Sequence, residues 1–242
     1  MADATATAAA RRVYQEAGIA EGEGGFALTL DGRQARTPGR APLALPTRPL
    51  AEAVAAEWEA QGASIDPTTM PLTRLANSTI DGVAPRLVEV RDDLVRYAGS
   101  DLVFYRAAEP EKLVAGQAAA WDPVHAYARD SLGAHFVLSE GVMFVEQPEE
   151  AIAAIRREIE REPSPFVIAA LHVMTTLTGS VLMALMHAAG RLSAEDAWRA
   201  AHADELFQES RWGEDYEALQ RRQGREAEFR AASRFLGLAR AR

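Results

Sequence analysis

From Phe166 to Gly190 the chain carries no Asp, Glu, Lys or Arg. An uncharged run of that length either crosses a bilayer as one helix or supplies the centre of a globular core. His172, Thr175, Thr176, Thr178, Ser180 and His187 dilute its apolarity. Thr178-Gly179-Ser180 also reads as a break, with Ser180 placed to cap a second helix and Gly190 to end it. The run is therefore expected to form two core helices and no membrane insertion. A chain of 242 residues, 48% of them hydrophobic, is large enough to wrap such a core.

The first third reads differently. Phe26 to Leu30 has the composition of a strand, and Asp31-Gly32 is a strong hairpin-turn signal. Arg33 to Thr37 is expected to return as the second strand, with Leu43-Ala44-Leu45 as a short third and Val13 to Ala17 as an earlier one. Thr47 then caps a helix with Pro49 in its first turn, and Leu50, Val54, Glu57, Trp58 and Gln61 recur at helical spacing before Gly62. The loop Asp66-Pro67-Thr68-Thr69-Met70-Pro71 marks a soft boundary.

Beyond that loop helices are expected over Leu72 to Ile80, Leu87 to Tyr97, Val114 to Arg129 and Glu149 to Arg161, then over the two apolar segments. Ala194 to Ser210 and a charged stretch from Asp215 towards Ala232 follow, while Leu102 to Tyr105 and Val142 to Val145 are short β-like runs. The expected class is α+β. A small β-rich domain over residues 1–66 packs on a larger, mainly α-helical domain over residues 67–242.

A formal net charge of -9 argues against nucleic acid, which needs a surplus of Arg and Lys, and disfavours an anionic membrane surface. The absence of cysteine removes disulfides, thiolate nucleophiles and Cys-ligated zinc. The opening MADATATAAARR has no apolar core of a secretory signal and is expected to be a disordered, bacterial-style start. The expected location is the cytoplasm of a bacterium, or the mitochondrial matrix in a eukaryote.

Gly22-Glu23-Gly24-Gly25-Phe26-Ala27 superficially fits a dinucleotide fingerprint, but it opens a strand instead of a helix and reads as a turn. No phosphate-binding loop is present, and Lys112 is the only lysine. No cofactor is expected. His172 and His187 fall in the apolar helices as hydrogen-bonded core residues. His202 and Glu205, three apart, could begin a metal site, although no second such pair faces them in the sequence. Thr73, Arg74 and Asn77 give the segment Met70 to Asn77 a polar face beside core positions Leu72, Leu75 and Ala76.

The most informative segment is Trp198 to Asp215. On one continuous helix Trp198, Ala201, Glu205, Gln208 and Trp212 would share a stripe. A carboxylate between two tryptophans is costly to bury unless it is paired. Either Glu205 is a buried group satisfied by an Arg, or the stripe faces a partner, since Trp supplies large contact area. The residues leave both readings open. A metal-dependent enzyme using the acidic and histidine cluster around His202 to Asp215, with Asp204, Glu205 and Glu214, is the alternative from another class.

Three separated blocks then resemble one family. They are Leu30-Asp31-Gly32-Arg33 through Arg36-Thr37-Pro38 and Pro42-Leu43-Ala44-Leu45-Pro46-Thr47; Glu57-Trp58 with Gln61, then Met70-Pro71-Leu72-Thr73, Asn77 and Asp81; and Glu205-x-Phe207-Gln208 with Trp212-Gly213-Glu214-Asp215. In order and spacing, from about Val13 to Gln220, they are similar to the F-type ATP synthase alpha-subunit assembly chaperones, the ATP synthase mitochondrial assembly factor 2 type in its bacterial form. The resemblance implies a β-rich part followed by a helical part, no enzymatic activity and no nucleotide of its own. It implies a protein that binds the unassembled alpha subunit until the beta subunit takes its place; a monomer is expected. Trp58, Glu205, Gln208, Trp212 and Asp215 are the partner-binding residues it implies.

Overall fold

The computed structural model describes residues 10–22, 24–141, 143–213 and 216–241. The chain divides into two compact units, Met1–Pro85 with Gly237–Arg242, and Arg86–Leu236. The boundary expected after Asp66 falls inside the first of these. The α+β class holds: a small strand-containing region at the N-terminal end, helices elsewhere.

In the first unit β2 (Gly25–Leu30) is the centre of the sheet. β1 (Ala17–Gly22) runs antiparallel on one side, with Ala17 opposite Leu30 and Gly22 opposite Gly25. On the other side β3 (Arg33–Gln34) pairs with Thr29 and Leu30, and β4 (Ala44–Leu45) with Phe26 and Ala27. The Asp31-Gly32 hairpin is as the sequence predicts, with φ of 49° and 75°, the left-handed pair that a two-residue turn needs. The expected first strand is displaced, because Val13 to Glu16 lies outside it and pairing begins at Ala17. The glycine-rich turn joins β1 to β2. Gly25 has φ of 106°, and a Cβ there would meet the Leu45 carbonyl oxygen at 2.3 Å, so only glycine fits.

α1 (Arg48–Glu59) begins where Thr47 accepts the Leu50 amide at 3.3 Å. The Thr47 hydroxyl donates to the Leu238 carbonyl at 2.7 Å. Leu50 and Val54 face Leu28, Leu43 and Leu45 in the unit's core, all at most 1% exposed. α2 (Pro71–Ser78) follows, and a π-type turn over Thr79–Val83 carries Asp81.

In the second unit come α3 (Leu87–Tyr97), a 3-10 turn over Leu102–Phe104, and β5 (Tyr105–Arg106). α4 (Glu111–Leu132) extends three residues beyond the expected range at each end, and Pro123 lies inside it. β6 (Ser139–Glu140) pairs parallel with β5. The expected run Val142 to Val145 is therefore not the strand. Val142 lies outside the described residues, and Met143 to Val145 is irregular.

α5 (Glu149–Glu160), α6 (Pro165–Thr178) and α7 (Val181–Ala188) follow. The uncharged run is two core helices, split at Gly179 (φ 70°), with Ser180 accepting the Met183 amide at 3.0 Å. Among the described residues no helix is long and apolar enough to cross a membrane. Ile168, Met174, Val181, Leu182 and Met183 are fully buried there. Asp101, also fully buried, ties the turn before β5 to the start of α7: it accepts from the Val103 amide at 3.2 Å and the Leu182 amide at 3.1 Å.

The helix expected over Ala194 to Ser210 is two helices, α8 (Ala194–Ala201) and α9 (Ala203–Trp212), broken at His202. α10 (Tyr216–Arg240) is longer than expected.

Candidate partner-binding site

The family-like residues of the first unit mostly hold its fold. The Glu57 carboxylate accepts from the Leu72 amide at 2.8 Å, the Thr73 amide at 2.8 Å and the Thr73 hydroxyl at 2.7 Å. It therefore caps α2, which Met70 does not. Gln61, 7% exposed, donates to the Glu57 carbonyl and Thr69 hydroxyl and accepts the Asp66 amide, fixing the loop that leads there. Asp81 accepts from the Thr37 hydroxyl at 2.6 Å and the Gly39 amide at 2.8 Å. A Cβ at Gly39 would collide with that carboxylate at 2.6 Å.

Trp58 is half-buried on α1. Its ring lies 5.7 Å from that of Tyr14, tilted by 56°, and the Tyr14 hydroxyl donates to the Trp58 carbonyl at 2.7 Å. Its indole Nε1 is buried with no hydrogen-bond partner among the described residues. An indole N–H left without an acceptor is uncommon in a folded chain.

In the second unit the break at His202 redirects the segment. Trp198 and Ala201 belong to α8 and are 6% and 9% exposed, so they feed the core. The Trp198 ring lies 3.9 Å from that of His202 and 5.5 Å from that of Phe229, tilted to both. α9 buries none of its residues. Two carboxylates anchor its inner side. Asp204 accepts from the Gln117 amide group of α4 at 2.7 Å, and Glu209 pairs with Arg222 of α10.

That leaves Glu205, Gln208 and Trp212 on the outer side, all exposed, with Trp212 at 79%. The expected single stripe is thus corrected: its first two members are core and its last three are surface. Glu205 is not the buried, Arg-satisfied carboxylate of the first reading. Asp215 and Glu214 lie outside the described residues. Trp58 belongs to the first unit, while Glu205, Gln208 and Trp212 share one helix of the second.

The acidic and histidine cluster does not converge. His202 is buried, its Nδ1 facing the Trp198 carbonyl at 2.9 Å, while Asp204 is occupied by Gln117 and Glu205 points to solvent. No group of three or more metal-ligating side chains occurs among the described residues. His187 bridges the Leu192 carbonyl and Ser233 hydroxyl, each at 2.8 Å. His172 contacts Asp93 at 2.7 Å, and that hydrogen bond holds the Asp93 carboxyl below its usual range. Both are hydrogen-bonded, as expected.

An open groove of about 510 Å³ is lined by Asp122, His125, Arg129, His135 and Leu138. Arg129 there is engaged by Asp130 and Asp122 by Arg106, and burial pushes His125 down.

Sequence reasoning missed the other exposed apolar side chains. Leu206 on α9 is 38% exposed and Tyr216 71%, while Met143 and Phe144 in the loop before α5 are 75% and 69% exposed. The signal was available for the loop only as a misassigned strand.

The first half of the chain, residues 11–129, matches the model of the ATP12 chaperone protein family. The crystal structure of Atp12 from Paracoccus denitrificans is 44% identical, with a TM-score of 0.91, over 96% of this chain and 99% of that one. A mutant of the P. denitrificans protein matches at 43% identity and the same TM-score over 96% and 98%. A protein of Agrobacterium tumefaciens is 46% identical, with a TM-score of 0.90, over 94% of this chain and 85% of that one. With sequence identity, fold and chain length all in agreement, this chain belongs to the ATP12 chaperone family.

Proposed function

We propose that this chain is an ATP-independent assembly chaperone. It binds the unassembled alpha subunit of the F-type ATP synthase head, keeps it from aggregating, and yields it to the beta subunit. It acts as a monomer in the bacterial cytoplasm, is not an enzyme and needs no cofactor. Membership of the family supports the chaperone class, and the three sequence blocks support the choice of client.

The observation that carries the reading is the outer side of α9. Trp212 is 79% exposed beside exposed Glu205 and Gln208, on a helix whose carboxylate anchors face inward. Exposed tryptophan with polar neighbours is the composition of a contact surface. A free alpha subunit leaves uncovered the apolar flank that beta covers, and large uncovered patches associate wrongly. A chaperone must mask that flank and still release it, so a mixed apolar and polar surface suits it. Glu205, Gln208, Trp212 and Asp215 are assigned to the client contact, with Trp58 as a further contact.

The test is co-expression of this chain with alpha subunit in the absence of beta. Soluble alpha that co-purifies with the chain and is released on adding beta is the expected result. Insoluble alpha beside a folded chain would overturn the reading. A folded Glu205→Ala variant that holds alpha as well as the parent would remove Glu205 from the contact.

A further inference from the structure

On either side of β6, before α5, the chain holds large apolar side chains away from the interior. Val137 and Leu138 are 43% and 47% exposed, Met143 and Phe144 75% and 69%. The loop is held in this arrangement by its own hydrogen bonds. Gln147, 4% exposed, clamps its base: Oε1 accepts from the Val137 amide at 2.8 Å and Nε2 donates to the Val137 carbonyl at 3.0 Å. Phe136 anchors the incoming strand by stacking on Phe104 at 4.7 Å. The Gly141 amide donates to the Arg106 carbonyl at 2.9 Å, and the Ser139 hydroxyl to the Met143 carbonyl at 3.3 Å. Backbone held at Val137, Gly141 and Met143 beside large side chains in water is the geometry of presentation.

The exposed charges of this segment are carboxylates, and Arg106, which β5 places opposite Glu140, is largely buried and engaged by Asp122 at 2.9 Å. Glu140, Glu146, Glu149 and Glu150 are exposed and have no ion-pair partner among the described residues. From Asp130 to Ile155 the sequence contains no Lys or Arg. Glu149 and Glu150 sit in the first turn of α5, where the helix dipole suits them. Glu140 and Glu146 have no such local reason. The complement of an apolar tip with a carboxylate rim is an apolar segment flanked by cations.

We infer that this loop is a docking surface for a cationic amphipathic segment of a polypeptide partner, in which apolar residues alternate with Lys or Arg. An anionic bilayer is repelled by the same rim. The residues of this surface are not those assigned to the client contact on α9, and its partner need not be the alpha subunit, so the two proposals are tested by different variants.

The experiment uses the full chain and two synthetic helical peptides, one of Leu and Arg and its Leu and Glu counterpart. Binding is followed by fluorescence anisotropy, and the site by hydrogen exchange. The wild type is expected to bind the Leu–Arg peptide only, with new protection confined to the loop. Met143→Ser combined with Phe144→Ser should weaken binding by about tenfold or more, as loss of an apolar anchor does. Glu140→Gln combined with Glu146→Gln should weaken it severalfold and flatten its salt dependence. All four side chains are exposed or at the loop surface, and an unchanged thermal melt checks the fold. Equal binding by wild type and both variants, or no binding at all, overturns the inference. So does a concentration-dependent dimer lost only in the Met143→Ser, Phe144→Ser variant, since the occupant would then be a second copy. Alpha-subunit capture by the same variants is read in parallel: it can fail while peptide binding persists, and the reverse.

Discussion

The amide group of Gln117 joins two parts of the second unit: its Nε2 donates to Asp204 of α9 at 2.7 Å, and its Oε1 accepts the Ala107 amide at 2.7 Å. Only 2% exposed, this residue holds the first turn of α9 against α4 and so fixes which side of α9 meets solvent. Replacing it should expose the cost of unmade bonds. Gln117→Leu leaves the Ala107 amide and the Asp204 carboxylate without their partner, and should destabilise by about 1–3 kcal/mol. Urea denaturation measures this. Hydrogen exchange should show faster opening of α9 than of α6 or α7. Uniform exchange across all three helices would mean that the tether does not orient α9.

The two tryptophans of this region should behave oppositely. Trp198, 6% exposed against His202 and Phe229, is core, and Trp198→Ala should cost about 3–5 kcal/mol in a denaturation curve. Trp212, 79% exposed, should change stability by about 0.5 kcal/mol or less on conversion to Ala. In alpha-subunit capture Trp212→Ala should lose affinity by about tenfold or more, as an interface anchor does. A stable Trp212→Ala protein with undiminished capture would take Trp212 out of the contact.

Much of this was legible because local chemistry and tertiary structure agree. Asp31-Gly32 can adopt the left-handed pair of a tight hairpin, Thr47 and Ser180 can cap, and an uncharged run broken at Gly179 has to form two helices. The failures have a common cause, tertiary context. Val13 to Ala17 and Val142 to Val145 carry strand-like residues, but pairing begins at Ala17 and involves Ser139–Glu140 instead, where a partner strand is available. Periodicity could not reveal the break at His202, since the pattern of apolar residues runs straight through it. Hence Trp198 and Trp212 share a stripe in sequence and separate in space. The site was partly legible: Glu205, Gln208 and Trp212 share a helix face, whereas the anchors Asp204 and Glu209 are ordinary surface residues until Gln117 and Arg222 are placed opposite them.

The pairing of Glu57 with Thr73 serves the fold. The Glu57 carboxylate satisfies the first amides of α2, which no residue of the cap itself does. Glu57→Ala should cost about 1–3 kcal/mol. Glu57→Gln, which retains one acceptor oxygen, should recover part of it. Capture of the alpha subunit per folded molecule should be unchanged in both variants, measured below the onset of unfolding. Loss of capture in a fully folded Glu57→Gln protein would instead give this residue a role in the contact.

Asp101 supplies the pH dependence. Burial raises its pKa to about 6 from the ordinary 3.8, against the opposing pull of Ser180 and the Leu182, Val103 and Val181 amides. Between those two values the native state holds a proton that the unfolded chain has released. This group's contribution to stability is therefore greatest in acid and falls as pH rises through the window from 3.8 to 6. Asp101→Asn removes the titration while keeping the shape. The stability of the wild type relative to Asp101→Asn should rise by about 2 kcal/mol as pH falls from about 7 to about 4. Guanidinium denaturation of both proteins across that range measures the difference, in which the other titrating groups cancel. A constant difference would mean that Asp101 titrates alike in both states. A falling one would mean that the four hydrogen-bond donors outweigh burial and keep the carboxylate ionised in the core.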